Sequence, residues 1–160
     1  MTNDIRYTLT EAHKQFAIEA NGSVWSLIDQ SSRTPQENDE LLYAAFASCY
    51  HWTATGSKVH QQRGEYLIAK TYLSLGNAVE TLAHARRCIQ LTEEHGAALK
   101  DFDRAYAFEC LARALAMNGE LAQAQSAYAQ AQAAAAAIAN EEDRGMFEMD
   151  FMGGEWFGLQ

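Results

Sequence analysis

Apolar residues in this chain recur at intervals of three and four, the signature of amphipathic helices, and strand-like alternation is absent. Periodicity and breakers together predict six helices, over roughly 8–31, 37–55, 59–75, 77–95, 99–118 and 120–140. Asn21-Gly22 lies inside the first and predicts a weakened or kinked helix, because Gly costs about 1 kcal/mol against Ala in a helix interior. Ser31-Ser32-Arg33-Thr34-Pro35-Gln36 reads as a turn, with Asn38 or Asp39 placed to cap the second helix. Thr55-Gly56-Ser57 ends that helix, His95-Gly96 ends the fourth, and Lys100-Asp101 stands at the entry to the fifth. Short connections between long helices predict antiparallel neighbours. After Asn140 the chain is first polar, through Glu141-Glu142-Asp143-Arg144. It then turns apolar at Met146, Phe147, Met149, Phe151, Met152, Trp156, Phe157 and Leu159. This tail fits a cap folded over the last helix pair, or a segment that docks into a second protomer to make a homodimer.

An internal repeat sharpens the picture. The segment Leu67-Ile68-Ala69-Lys70-Thr71-Tyr72-Leu73-Ser74-Leu75-Gly76-Asn77 has a counterpart 43 residues later, Cys110-Leu111-Ala112-Arg113-Ala114-Leu115-Ala116-Met117-Asn118-Gly119-Glu120. Each runs a helix into a Gly suited to a left-handed helix end, then opens a second helix with a polar residue. Thr81, Ala85 and Cys88 stand where Ala124, Tyr128 and Ala131 stand in the next unit. On these residues, over about 63–138, the chain resembles the tetratricopeptide-repeat (TPR) superfamily. The period exceeds the usual one of about 34 residues, which implies longer helices. The resemblance implies an all-α stack of three antiparallel helix pairs, with 1–36 as first helix and turn, 37–140 as repeat helices and 141–160 as capping tail. In such arrays the first helix of each pair lines a concave groove.

Composition narrows the partners. Hydrophobic residues make up 48% and charged residues 21% of 160, ordinary values for one globular domain. A single proline and abundant alanine favour helix. The net charge of −9, with only Arg86–Arg87 adjacent, argues against nucleic acid and anionic membrane, whose phosphates need clustered cations. No stretch approaches 18 apolar residues, and Met1-Thr2-Asn3-Asp4-Ile5-Arg6 lacks the apolar run of a signal peptide. Cys49, Cys88 and Cys110 are odd in number and lack CxxC spacing, so a cytoplasmic location is expected.

No nucleotide, zinc-protease, serine-hydrolase or calcium-loop motif occurs, and no cofactor or metal is expected. Candidate chemistry comes from polar residues in apolar surroundings. Ala44, Ala47, Ser48 and His51 share one helical face, and His51 reads as an acid/base or ligand contact, or as a core histidine bonded to a neighbouring helix. His84 and Cys88, at i and i+4, offer two of the three or four ligands zinc requires. Gly64, between Arg63 and Glu65, marks close packing or close approach. Asp101 and Asp103 suit the start of a helix, where acids cap free N–H groups and complement the dipole. Phe102, Tyr106, Glu109 and Arg113 form an aromatic and charged stripe, and on a surface the Glu109–Arg113 pair would be worth about 0.3–0.5 kcal/mol.

Tyr50-His51-Trp52, Arg63-Gly64-Glu65, His84-Ala85-Arg86-Arg87-Cys88 and Asp101-Phe102-Asp103 are also similar to a family of small bacterial TPR-like proteins to which no activity is assigned. That likeness covers about 40–143 and departs from it at Tyr66, where Trp is expected, and in the Met- and Gly-rich tail. Two functions follow as expectations. One is an interaction module whose groove holds a peptide or helix of a protein partner through Arg63, Tyr66, Tyr106, Glu109 and Arg113, an acidic peptide end being compatible with the arginines. The other is a small-molecule binding protein or enzyme in which His51, Arg63, Glu65, His84, Asp103 and Glu109 converge in one pocket. The first expects Arg113 and Glu109 to be exposed for recognition and His51 to serve packing.

Overall fold

The computed structural model describes residues 6–159; residues 1–5, whose lack of a signal-like apolar run is noted above, lie outside the described residues. Among the described residues seven α-helices follow one another: α1 (Leu9–Ile28), α2 (Pro35–Ala54), α3 (Lys58–Ser74), α4 (Ala78–His95), α5 (Asp101–Met117), α6 (Leu121–Ala136) and α7 (Glu141–Met152). A 3-10 turn, Gly96–Ala98, joins α4 to α5, and there is no strand among the described residues.

Side chains set most of the helix starts. The Thr8 hydroxyl accepts from the Glu11 N–H while the Glu11 carboxylate accepts from the Thr8 N–H, and Thr34 and Glu37 repeat the arrangement on α2. The α2 cap is therefore Thr34 rather than Asn38 or Asp39. Pro35 accounts for the shift: its fixed φ and missing N–H suit the first helical position. Ser57, Asn77 and Asn140 cap α3, α4 and α7. At α5 the Asp103 carboxylate accepts from the Lys100 N–H at 2.9 Å. Contrary to the expectation of a kink, α1 runs unbroken through Asn21-Gly22. Ala17 and Val24 are fully buried on either side of that pair, and packing of this kind stabilises a helix more than one Gly weakens it.

Sequence neighbours are antiparallel. Ser48 donates to the Ala17 carbonyl and His51 meets His13, which joins α2 to α1 end over end. Gln62 reaches Thr92 while Glu65 reaches His84, and Asn118 donates to the Ala78 carbonyl while Arg104 pairs with Glu93. The odd-numbered helices also touch one another in order, α1 with α3, α3 with α5 and α5 with α7. They line one side of the molecule together. Gly64 fits the close-packing reading: a Cβ there would lie 2.8 Å from Cys49 Sγ, so α2 and α3 approach closely at this point.

Two apolar clusters hold the stack. Val24, Leu41, Ala45, Leu67 and Ile68 join α1 to α3, and each buried Leu or Ile there contributes about 1.5–3 kcal/mol. The larger cluster spans α3 to the C-terminus, with α5 at its centre; eleven of the 17 residues of α5 are buried. The tail, expected only as a cap over the last helix pair or a docking segment, forms a seventh helix. Asn140 and three acids in the first turn start it, and Phe147 and Phe151 give it one apolar face. Phe151 and Trp156 then pack against Tyr128 of α6, with ring centroids 4.8 and 4.9 Å away.

The two repeat turns are the same object. Gly76 has φ 74° and Gly119 has φ 77°. In each turn the glycine N–H bonds three residues back (Leu73, Ala116) and the following N–H bonds five residues back (Tyr72, Leu115). This is the double bond pattern that closes a helix on a left-handed residue. Gly76→Val and Gly119→Val should each cost about 1 kcal/mol or more, because a β-branched side chain is strained at positive φ. Thermal melts of both variants check this, and unchanged midpoints in both would remove the conformational argument.

Candidate functional site, a cleft across the odd-numbered helices

The side lined by the odd-numbered helices is hollowed into a cleft of about 770 Å³. α1 supplies Asn21, Trp25 and Ile28, with Asp29 just past its end; α3 supplies Gln62, Arg63, Tyr66, Lys70 and Ser74; α5 supplies Phe102, Asp103, Tyr106 and Arg113. Met149 and Asp150 of α7, with Glu155 and Phe157 beyond it, close the far end. Asp29, Ser74, Met149, Asp150 and Glu155 are exposed along the rim, whereas Gln62, Leu67, Asp103 and Arg113 form a buried floor. A site of this size suits a small ligand or a few side chains of a larger one.

The floor is a charge network. Arg63 of α3 makes a bidentate contact with Asp103 of α5, at 2.8 and 3.0 Å. About two turns further, Lys70 Nζ lies 3.3 Å from Glu109 Oε1. The same oxygen accepts from Arg113 Nε. α3 and α5 thus run side by side with cations from the first meeting carboxylates from the second. Arg63 and Lys70 also stand over the rings of Phe102 and Tyr66. The phenol of Tyr66 makes no hydrogen bond to the protein, and burial, then the charge of Glu109, hold its pKa well above the ordinary value of 10. It is a proton donor at neutral pH. The Tyr106 hydroxyl donates to Asp150 at 2.7 Å and ties α5 to α7.

Glu109 and Arg113 are 1% and 3% exposed, so they form a buried structural pair, which corrects the surface reading. The reason is the tail. Arg113 Nη1 donates to the Glu155 carbonyl, and Nη2 donates to the carbonyls of Asp150, Phe151 and Gly153. Its guanidinium stacks 3.9 Å from the Trp156 ring. Five acceptors converging on one planar cation are what a guanidinium can satisfy and an ammonium cannot. Arg113 therefore ends the cleft by holding the tail in place.

Of the nine candidates, Arg63, Tyr66, Asp103, Tyr106 and Arg113 line the cleft, and Glu109 lies directly behind it. The remaining three lie elsewhere. His51 Nδ1 meets His13 Nδ1 at 2.7 Å against Phe16 and Tyr50, half-buried between α1 and α2. His84 bonds Glu65 at 2.7 Å and stacks on Tyr72. Cys88 is buried beside Gln62 rather than joining His84. Burial pushes the thiols of Cys49 and Cys110 up to about 11 and about 12, so neither is an activated nucleophile. Among the described residues no three His, Cys, Asp or Glu side chains come together to hold a metal ion.

Asn21, Trp25, Gln62, Lys70, Asp150 and Glu155 were not singled out by sequence reasoning. Three of them, Asn21, Trp25 and Lys70, carried a usable signal. Arg63, Tyr66 and Lys70 fall on one helical stripe, and Asn21, Trp25 and Ile28 on another. Asp150 and Glu155 carried none, because they belong to the tail whose docking depends on Arg113. No helix among the described residues is long and apolar enough to cross a membrane. The chain matches no family model, no curated protein and no solved structure.

Proposed function

We propose that this chain is a non-catalytic interaction module of TPR-like organisation, whose concave cleft binds a peptide or helix of another protein. The observation that carries the reading is the shape of the cleft. Four helices side by side make a trough with an exposed rim at both ends and a floor braced by part-buried ion pairs. The repeated glycine turns at Gly76 and Gly119 support the TPR-like organisation. Aromatic faces at Trp25, Tyr66 and Phe102 supply the low-entropy contact area that dominates such interfaces. The titratable groups of the floor are engaged with one another rather than poised for a reaction, which favours binding over catalysis.

The test is a random peptide library selected against the protein, with the selected peptide mapped by amide chemical shifts. Shifts should concentrate on α1, α3, α5 and α7. Asn21→Trp fills the cleft from a side chain that makes no hydrogen bond. It should weaken the peptide by about tenfold or more, a loss of about 1.4 kcal/mol, without moving the melting temperature. Shifts confined to α2, α4 and α6 would defeat the proposal.

A further inference from the structure

The cleft has more acid than its own bases can use. Its three cations, Arg63, Lys70 and Arg113, stand against five carboxylates, Asp29, Asp103, Glu109, Asp150 and Glu155, two negative charges in excess. The distribution matters more than the count. Every one of these cations already holds Asp103 or Glu109. The excess therefore sits at the rim, where the carboxylates of Asp29 and Glu155 make no hydrogen bond or ion pair and Asp150 accepts only from the Tyr106 hydroxyl. An acidic peptide end, which the arginines alone would favour, would meet neutralised bases and unpaired acids.

The walls and floor agree with the rim. Trp25, Tyr66 and Tyr106 form a continuous aromatic series, with centroids 6.4 and 5.7 Å apart. Aromatic faces attract ammonium and guanidinium groups, and the cleft already shows such contacts to Arg63 and Lys70. In the floor, Gln62 is 1% exposed and its Nε2 is used by Thr92 and Cys88, yet its Oε1 has no partner. A buried acceptor without a donor costs free energy until one arrives. Free carboxylates and aromatic faces call for a cation, and the unpartnered carbonyl oxygen of Gln62 for a hydrogen-bond donor.

We infer that the cleft takes a cationic amphipathic segment of a partner protein, its apolar side chains against Trp25, Leu67 and Met149 and its Lys or Arg groups on Asp29, Asp150 and Glu155. This rests on the reading of the cleft as a peptide groove and names the partner's chemistry. The chain's net charge of −9 steers such a segment toward it from a distance.

Two synthetic helical peptides of about 18 residues, long enough to be marginally helical alone, decide the matter. They share every Leu and differ only in carrying Lys or Glu on the polar face; spermine supplies charge without the apolar stripe. Calorimetry and amide shifts should find the Lys peptide in the cleft and the Glu peptide not bound, with spermine at least about a hundredfold weaker. Asp29→Asn with Glu155→Gln should weaken the Lys peptide about tenfold or more. Asp39→Asn with Glu142→Gln, removing two exposed charges outside the cleft, should change it less than about twofold. The inference falls, and the peptide-groove reading stands, if the Glu peptide occupies the cleft as well as the Lys peptide does or the Asp29/Glu155 variant binds unchanged. Spermine binding as tightly as the Lys peptide would also sink it, in favour of a small cation. If neither peptide moves cleft resonances and library selection also yields nothing there, both readings fall.

Discussion

Arg113→Ala should lower the melting temperature by about 6–20 °C. The side chain is 3% exposed and holds Glu109 and four carbonyls of the C-terminal segment. Removing one member of a buried ion pair costs about 3–5 kcal/mol, because the other charge stays behind uncompensated. In a domain of this size each kcal/mol moves the midpoint by about 2–4 °C. Lys70 cannot take over: its ammonium already lies 3.3 Å from Glu109, whose Oε2 has no partner even with Arg113 present. Arg113→Lys should recover little, since a single ammonium cannot reach acceptors spread around a planar fork. The damage should also be local at first. Amide exchange should rise earliest in residues 150–157, where the lost acceptors lie. A midpoint within about 2 °C of the parent would mean that the tail does not depend on Arg113, and the far wall of the cleft would lose its explanation.

Phe147→Ala should cost about 3–5 kcal/mol by a different route, the cavity left in a packed core. Phe147 is 1% exposed and lies between Tyr106 and Phe151, with centroids 5.0 and 5.4 Å away. Met146, its neighbour in sequence, is 52% exposed, and Met146→Ala should stay within about 0.5 kcal/mol. The contrast between adjacent residues is the useful readout in a thermal or urea melt. Equal, small effects would show that α7 frays independently of the rest. A large effect for Phe147 alone makes α7 part of the same cooperative unit as α5. Because Tyr106 touches both Phe147 and the cleft, this variant should also disturb peptide binding.

How much of this was legible beforehand differs by residue. The helical periodicity and the glycine turns could be read directly; the small positions Ala69, Ala85, Cys88, Ala112, Ala124 and Ala131 followed from the resemblance, and all six are fully buried. These are local properties: periodicity, φ preference and side-chain volume act within a turn or two of chain. Arg63, Tyr66 and Tyr106 were readable as cleft residues only through the TPR-like register. Arg113 was placed on the right stripe but in the wrong environment. An i, i+4 pair with Glu109 looks the same in sequence whether water or a folded tail covers it.

The sequence by itself determined that the chain is helical, where most of the helices begin and end, and which face of each is apolar, because hydrogen-bonded caps and residue spacing decide those within one helix. Only the tertiary structure decided the rest. It turned residues 141–152 into a seventh helix packed on α5, it drew Arg63 to Asp103 across 40 positions of chain, and it left Asp29 and Glu155 unpaired at opposite ends of one cleft. The physical reason is that burial and ion pairing depend on which distant segment arrives alongside, and a charge or ring carries no mark of that neighbour in its own surroundings along the chain.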